Sequence, residues 1–93
     1  MIRSFADPET ERIWSGRRSR KLPPDIQSVA LRKLRLLNQA RAISDLRAPP
    51  GNRLEALRGD RAGQHSIRIN DQWRICFPWR DDGPREVEIT DYH

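Results

Sequence analysis

Apolar positions along the chain follow two different periods. Between Pro24 and Ala40 they recur at helical spacing, with Ile26, Val29, Ala30, Leu34, Leu36, Leu37 and Ala40 on one side of the wheel and Gln27, Ser28, Arg32, Arg35, Asn38 and Gln39 on the other. Lys33 falls inside the apolar arc and Leu31 outside it, which implies a snorkelling lysine and a leucine offered to a partner, or small local adjustments of the helix. From Gln64 onward the period drops to two. Ile67 and Ile69 alternate with Ser66 and Arg68, and Trp73, Ile75 and Phe77 alternate with Arg74 and Cys76, the signature of half-buried strands. If both apolar sets share a face, Ile69 must pair with Trp73 across a loop of Asn70, Asp71 and Gln72, because a slip of one residue would turn one set outward. That register sets Arg68 directly opposite Arg74. Like charges so placed repel, and an anion held between them would relieve the repulsion.

The remaining elements are marked by caps and breakers. Met1 to Phe5 reads as an edge strand with Ile2 and Phe5 inward. Asp7-Pro8-Glu9 is a cap, a first-turn proline and a first-turn acid, predicting a helix from Pro8 to Trp14 that Gly16 ends. Arg17 to Lys21 is a basic loop, either a solvated linker or a contact for phosphate or a partner. Ile43 to Leu46 adds a helical turn, and Ala48-Pro49-Pro50-Gly51 stops helix. A strand around Leu54, Ala56 and Leu57, a turn over Gly59 to Gly63, strands over 64–69 and 73–79, a turn at Asp81 to Pro84 and a last strand over 85–90 complete the chain. The expected architecture is α+β: two N-terminal helices packed on one face of a curved antiparallel sheet, in a single domain spanning residues 1–93.

Composition sharpens this picture. Of the 18 basic residues only Lys21 and Lys33 are lysines, a bias toward the planar, bidentate cation that suits phosphate and carboxylate. Residues 1–47 carry eleven basic against five acidic side chains, so most of the +5 net charge lies in the first half and points to a polyanionic partner, with an acidic protein as the alternative. Cys76 has no partner for a disulfide and sits among strand residues, as a packing residue does. No apolar run approaches a membrane span and no leader pattern opens the chain, so a cytoplasmic protein without membrane contact is expected. His65 and His93, far apart and without a companion cysteine, predict no metal site, and no phosphate-loop glycine pattern predicts a nucleotide cofactor.

Gly51-Asn52-Arg53-Leu54-Glu55, Arg58-Gly59-Asp60-Arg61, the run from Ser66 to Ile75 and the terminal Asp91-Tyr92-His93 together resemble the HigB-type toxins of the RelE/ParE superfamily. The resemblance covers nearly the whole chain. It implies a RelE-like fold and the activity of a type II toxin: ribosome-dependent, metal-independent cleavage of mRNA in the decoding site of the small subunit, among rRNA and mRNA. It also implies restraint by a HigA-type helix-turn-helix antitoxin, through which alone the toxin would meet operator DNA. Carried over residue by residue, it places active-site positions at Arg58, Arg68, Asn70, Arg74, Asp91, Tyr92 and His93. The sequence departs from it at Glu55, where some relatives have histidine, and at His65, where tyrosine or tryptophan is common.

The implied chemistry is attack of a ribose 2′-hydroxyl on the adjacent phosphate, which needs a base, an acid for the departing 5′-oxygen and cations for the pentacoordinate phosphorus. Arg74, with Arg58 and Arg68, is expected to hold the phosphate charge. His93, with a reference pKa of about 6.5, is the acid/base candidate, and Asp91 its orienting carboxylate. Tyr92 is expected to stack on a base or hydrogen-bond the phosphate, with Arg61, Asn70 and Trp73 as further RNA contacts. Plainer readings stand beside these: Trp73, Trp14 and Trp79 as packing residues, Arg74 paired with Glu86 or Glu88, and His93 as an exposed end. Two rival functions share the architecture, a ParE-like inhibitor of DNA gyrase without nuclease activity and a catalytically inactive nucleic-acid-binding co-repressor.

Overall fold

The computed structural model describes residues 1–91; Tyr92 and His93 lie outside the described residues. Helix α1 runs Pro8–Trp14, with Asp7 capping it through its carboxylate to the Thr10 amide and hydroxyl at 2.8 and 2.9 Å. Helix α2 runs Pro24–Gln39 and starts at a proline rather than at a side-chain cap. Three 3₁₀ turns (Ile43–Arg47, Pro50–Asn52 and Gly59–Arg61) punctuate the approach to the sheet. The strands are β1 (Glu55–Ala56), β2 (Gln64–Arg68), β3 (Trp73–Arg80), β4 (Gly83–Pro84) and β5 (Glu88–Asp91). Spatially β1, β2, β3 and β5 follow one another, every pairing antiparallel, while β4 closes only the far end of β3.

The core lies between the helices and one face of this sheet. Ile67, Ile75 and Ile89 form one cross-strand row on that face, and Phe77 continues the next along β3. They pack with Ile13 of α1 and with Ile26, Ala30, Leu34 and Leu37 of α2. The expected helix face is the buried one, and Leu31, read from the wheel as outside it, still packs against the core's margin. Lys33 does not snorkel. It is buried, and its ammonium donates to Asn52 Oδ1.

Three strand expectations need correction. Met1 to Phe5 is not a strand: it meets the sheet through one parallel bridge, Phe5 to Val87, with Ala6 N–H and Val87 N–H bonded to Val87 and Ser4 carbonyls at 3.0 and 3.1 Å, and through Arg3 N–H bonded to the Pro84 carbonyl of β4 at 2.9 Å. The last strand starts at Glu88 rather than at residue 85, because Glu86 adopts a left-handed conformation (φ 48°) that breaks the extended run. Its amide turns instead to Ser4 Oγ at 2.9 Å. Strand β1 is also shorter than expected, because Arg53 before it is left-handed (φ 44°) and the chain turns into a 3₁₀ helix soon after it. Among the described residues no helix is long and apolar enough to cross a membrane.

Candidate active site

The register expected for the central hairpin is the observed one: Arg68 opposes Arg74, and Ile69 N–H bonds the Trp73 carbonyl at 2.9 Å. Asn70 holds the connecting turn, its Oδ1 accepting from the Gln72 and Trp73 amides at 2.9 and 2.7 Å. An Asx turn of this kind occupies the side-chain oxygen, so Asn70 has only its amide NH₂ to offer a ligand.

Strand alternation then sorts every candidate onto one of two faces. On the face away from the helices, Glu55, Ser66, Cys76 and Glu88 make one cross-strand row, and Arg68, Arg74 and Thr90 make the next. Trp73, His65 and Asp91 belong to the helix side, the face of Ile75 and Phe77: Trp73 pairs with Asp91, and His65 with Phe77. Trp73 packs against the core there. Asp91, paired with Trp73 next to Arg74 in β3 but on the opposite face, accepts from Gln72 Nε2 at 2.9 Å. The structure thus gathers Arg68, Arg74, Arg61 and Glu55, and leaves Trp73 and Asp91 behind the sheet. Arg58 is exposed at the entrance to the turn that carries Arg61.

The repulsion between Arg68 and Arg74 is met within the chain, so the register alone does not require an anion. Arg68 pairs with Asp71 in the hairpin. Arg74 donates from Nε to Ser66 Oγ at 2.7 Å and from its terminal nitrogen to the Arg53 carbonyl, with the Glu55 carboxylate 3.8 Å away. Its expected partners, Glu86 and Glu88, are otherwise engaged: Glu86 has left the strand, and Glu88 accepts from Arg61 at 3.0 Å. With its side chain only 13 % exposed, Arg74 is the most firmly held cation of the face.

Glu55 is the residue that sequence reasoning set aside. Its carboxylate is 53 % exposed, beside Arg74 and on the same face. A carboxylate and a guanidinium sharing one open surface can take a proton from a nucleophile and hold charge on a phosphate. The signal available in the sequence was the two-residue step from Arg53 to Glu55 into a short strand, too little to fix its neighbour. Among the described residues no group of three His, Cys, Asp or Glu side chains is arranged to hold a metal ion.

Beneath these charges lie Ser66 and Cys76, both fully buried although they point away from the core. Burial pushes the Cys76 thiol's pKa up, with Arg61 and Arg74 pulling it down against Glu88 and Glu55. The charged side chains therefore act as a cover. Cys76 should react with a thiol-specific disulfide reagent roughly 10³-fold or more slower in native buffer than in denaturant, the scale of the unfolding equilibrium. Rapid labelling at native pH would show that the cover opens by itself.

Comparison with known proteins adds to this geometry. A family model described as "RelE-like toxin of type II toxin-antitoxin system HigB" matches residues 3–93. Toxin HigB-1 of Vibrio cholerae serotype O1 is 44 % identical over 82 residues, covering 87 % of this chain and 86 % of that protein. An uncharacterized Haemophilus influenzae protein is 34 % identical over 79 residues, covering 84 % of this chain and 78 % of the other. A chain of the YoeB-YefM complex from Staphylococcus aureus superposes with a TM-score of 0.62 over all of this chain and 98 % of that one, at 14 % identity, and so shares the fold.

Proposed function

We propose ribosome-dependent cleavage of mRNA as the activity of this protein, on the premise that the chain belongs to the HigB-like family of RelE-like toxins of type II toxin-antitoxin systems. The observation that carries the reading is the firmly held Arg74 with Glu55 beside it on an open sheet face. In this reading Glu55 takes the proton of a ribose 2′-hydroxyl as its oxygen attacks the adjacent phosphorus. Arg74, supported by Arg68 and Arg58, holds the charge that builds on the non-bridging oxygens. The P–O5′ bond breaks and His93 supplies the proton to the departing oxygen, leaving a 2′,3′-cyclic phosphate and a 5′-hydroxyl end. Both proton transfers use side chains, so the mechanism calls for no metal. Tyr92 is assigned to the RNA, and Arg61 and Asn70 flank the RNA's path; Asp91, on the face opposite Arg74 and bonded to Gln72, is given a structural role at the end of β5 in place of the orienting role expected for it. Trp73 contributes by packing under the hairpin rather than by stacking on a base.

The same family membership supports restraint by an antitoxin, which we assign to the HigA helix-turn-helix type, and the fold neighbour from Staphylococcus aureus is itself part of a complex. Contact with operator DNA would come through that antitoxin, and action on ribosomes places the protein in the cytoplasm.

The test is primer extension on a defined mRNA with and without programmed ribosomes, using wild type, Glu55→Gln and His93→Gln. Cleavage is expected only with ribosomes, reduced by ~10²–10⁴ in either variant, the usual contribution of general acid/base catalysis. Wild-type cleavage by Glu55→Gln would remove the base assignment. Intact mRNA in every lane, from protein that still arrests growth, would replace the nuclease reading with gyrase inhibition.

A further inference from the structure

Behind the sheet edge formed by β1 lies a cleft of about 510 Å³ that the cleavage reading leaves unused. Its walls come from the two 3₁₀ turns before β1 and from β1 and β2. Ile43, Pro50, Leu54 and Ala56 supply an apolar floor, and Ser44, Arg47, Arg53 and His65 supply its polar groups. Among the described residues no carboxylate lines it. The two acids next to lining residues in sequence turn elsewhere: Glu55 points to the other face of β1, and Asp45 Oδ2 accepts from the Arg41 and Ala42 amides at 2.9 and 3.2 Å. A cleft with two guanidiniums, a hydroxyl, an imidazole and apolar wall in one place matches a planar base attached to a phosphate better than it matches an apolar ligand or a bare ion.

His65 carries a second observation. Its Nδ1 is buried with no hydrogen-bond partner. A buried ring nitrogen with no partner within the chain costs free energy where it stands, so this histidine is not held there by a hydrogen bond of its own at Nδ1. The imidazole is one of the groups that line the cleft. Arg53 joins the cleft to the arginine face. Its side chain lines the cleft while its carbonyl accepts from Arg74, so only the two residues of β1 separate the two surfaces.

We propose that this cleft is a nucleotide subsite, taking the base and phosphate of a residue that flanks the cleaved bond as the RNA crosses the β1 edge. The inference rests on the RNA-cleavage reading and adds to it a second contact surface, with Arg47 as its principal phosphate ligand and His65 and Leu54 against the base.

The experiment is titration of the ¹⁵N-labelled protein with a tetranucleotide of 2′-O-methyl riboses, which cannot be cleaved, and separately with inorganic phosphate. The tetranucleotide should move backbone amides around Ser44, Arg47 and His65 as well as those around Arg68 and Arg74. Arg47→Gln, an exposed position outside the cleavage machinery, should weaken the cleft response about tenfold, as expected for one charge-assisted contact, and leave the arginine-face response in place. Shifts confined to the arginine face would overturn the subsite while leaving cleavage intact. Cleft shifts reproduced in full by phosphate alone would overturn the base contact and leave only an anion site. Silence at both faces with millimolar tetranucleotide would count against RNA binding as a whole, and ribosome-dependent cleavage measured in parallel separates that failure from failure of the nuclease reading.

Discussion

Arg74→Ala is expected to lower ribosome-dependent cleavage by ~10²–10³, the range for losing one preorganised charge stabiliser, in a protein that remains folded. The size of the effect follows from how the side chain is held. Three contacts, to Ser66 Oγ, the Arg53 carbonyl and Glu55, fix the guanidinium before any substrate arrives. Little reorganisation is left for the moment when charge builds on phosphorus. The contacts lie on the solvent side of the sheet, so alanine opens Ser66 to water rather than leaving a void in the core. Arg74→Lys is the informative companion. It keeps the charge but not the fork that reaches Ser66 and Arg53 together, and should recover little of the lost rate. Primer extension with programmed ribosomes reads both variants, and circular dichroism verifies their fold. Cleavage at the wild-type rate by Arg74→Ala would remove the arginine face from the mechanism.

That face was partly legible in the sequence. The opposition of Arg68 and Arg74 follows from two alternating runs and a three-residue loop, because period two leaves only one register that buries both apolar sets. The same register decides that Trp73 and Asp91 turn toward the helices, since Trp73 pairs with Asp91 on the side of Ile75 and Ile89. Which carboxylate answers which arginine was not legible. Strand pairing predicts neighbours along a row, but Arg61 reaches Glu88 from a separate 3₁₀ turn and Arg74 meets Glu55 across β2, contacts set by long side chains and loop paths. Glu86 shows the limit most clearly: it alternates correctly in sequence, and one left-handed residue takes it out of the sheet. Both helices were legible to within a residue or so, because Asp7-Pro8 and Pro23-Pro24 fix their starts and the apolar stripe of α2 fixes its face. In the segment from Ile43 to Arg53 the helical turn at Ile43 to Leu46 was legible, and the structure has it as the 3₁₀ turn Ile43–Arg47, but the path from there to the sheet was not, since one buried amide rather than any periodicity fixes it.

That amide sets the second large expectation, a loss of about 3 kcal/mol of stability in Asn52→Ala. Asn52 is fully buried and uses both ends of its side chain. Its Nδ2 donates to the Leu46 and Ala48 carbonyls, each at 3.2 Å, and its Oδ1 accepts from the Lys33 ammonium. Alanine leaves two carbonyls and a buried cation unpaired at once. For a domain of this size the loss corresponds to a fall in Tm of roughly 12–24 °C. Lys33 is also where the pair meets pH. Burial, then Arg32 and Arg68, lowers its pKa below the usual 10.5. In the window between the lowered value and 10.5 the unfolded chain binds a proton that the folded chain does not, so stability gains from rising pH there and carries the full penalty below it. Lys33→Met should abolish that gain. The double variant Lys33→Met/Asn52→Ala should lose less than the two single losses added, because no cation is then stranded. Thermal unfolding of the four proteins across that pH range measures all of this. An Asn52→Ala protein within about 1 kcal/mol of wild type would mean that the Ile43–Arg53 segment is held by its turns alone, and that the carbonyl of Arg53 reaches Arg74 without help from α2.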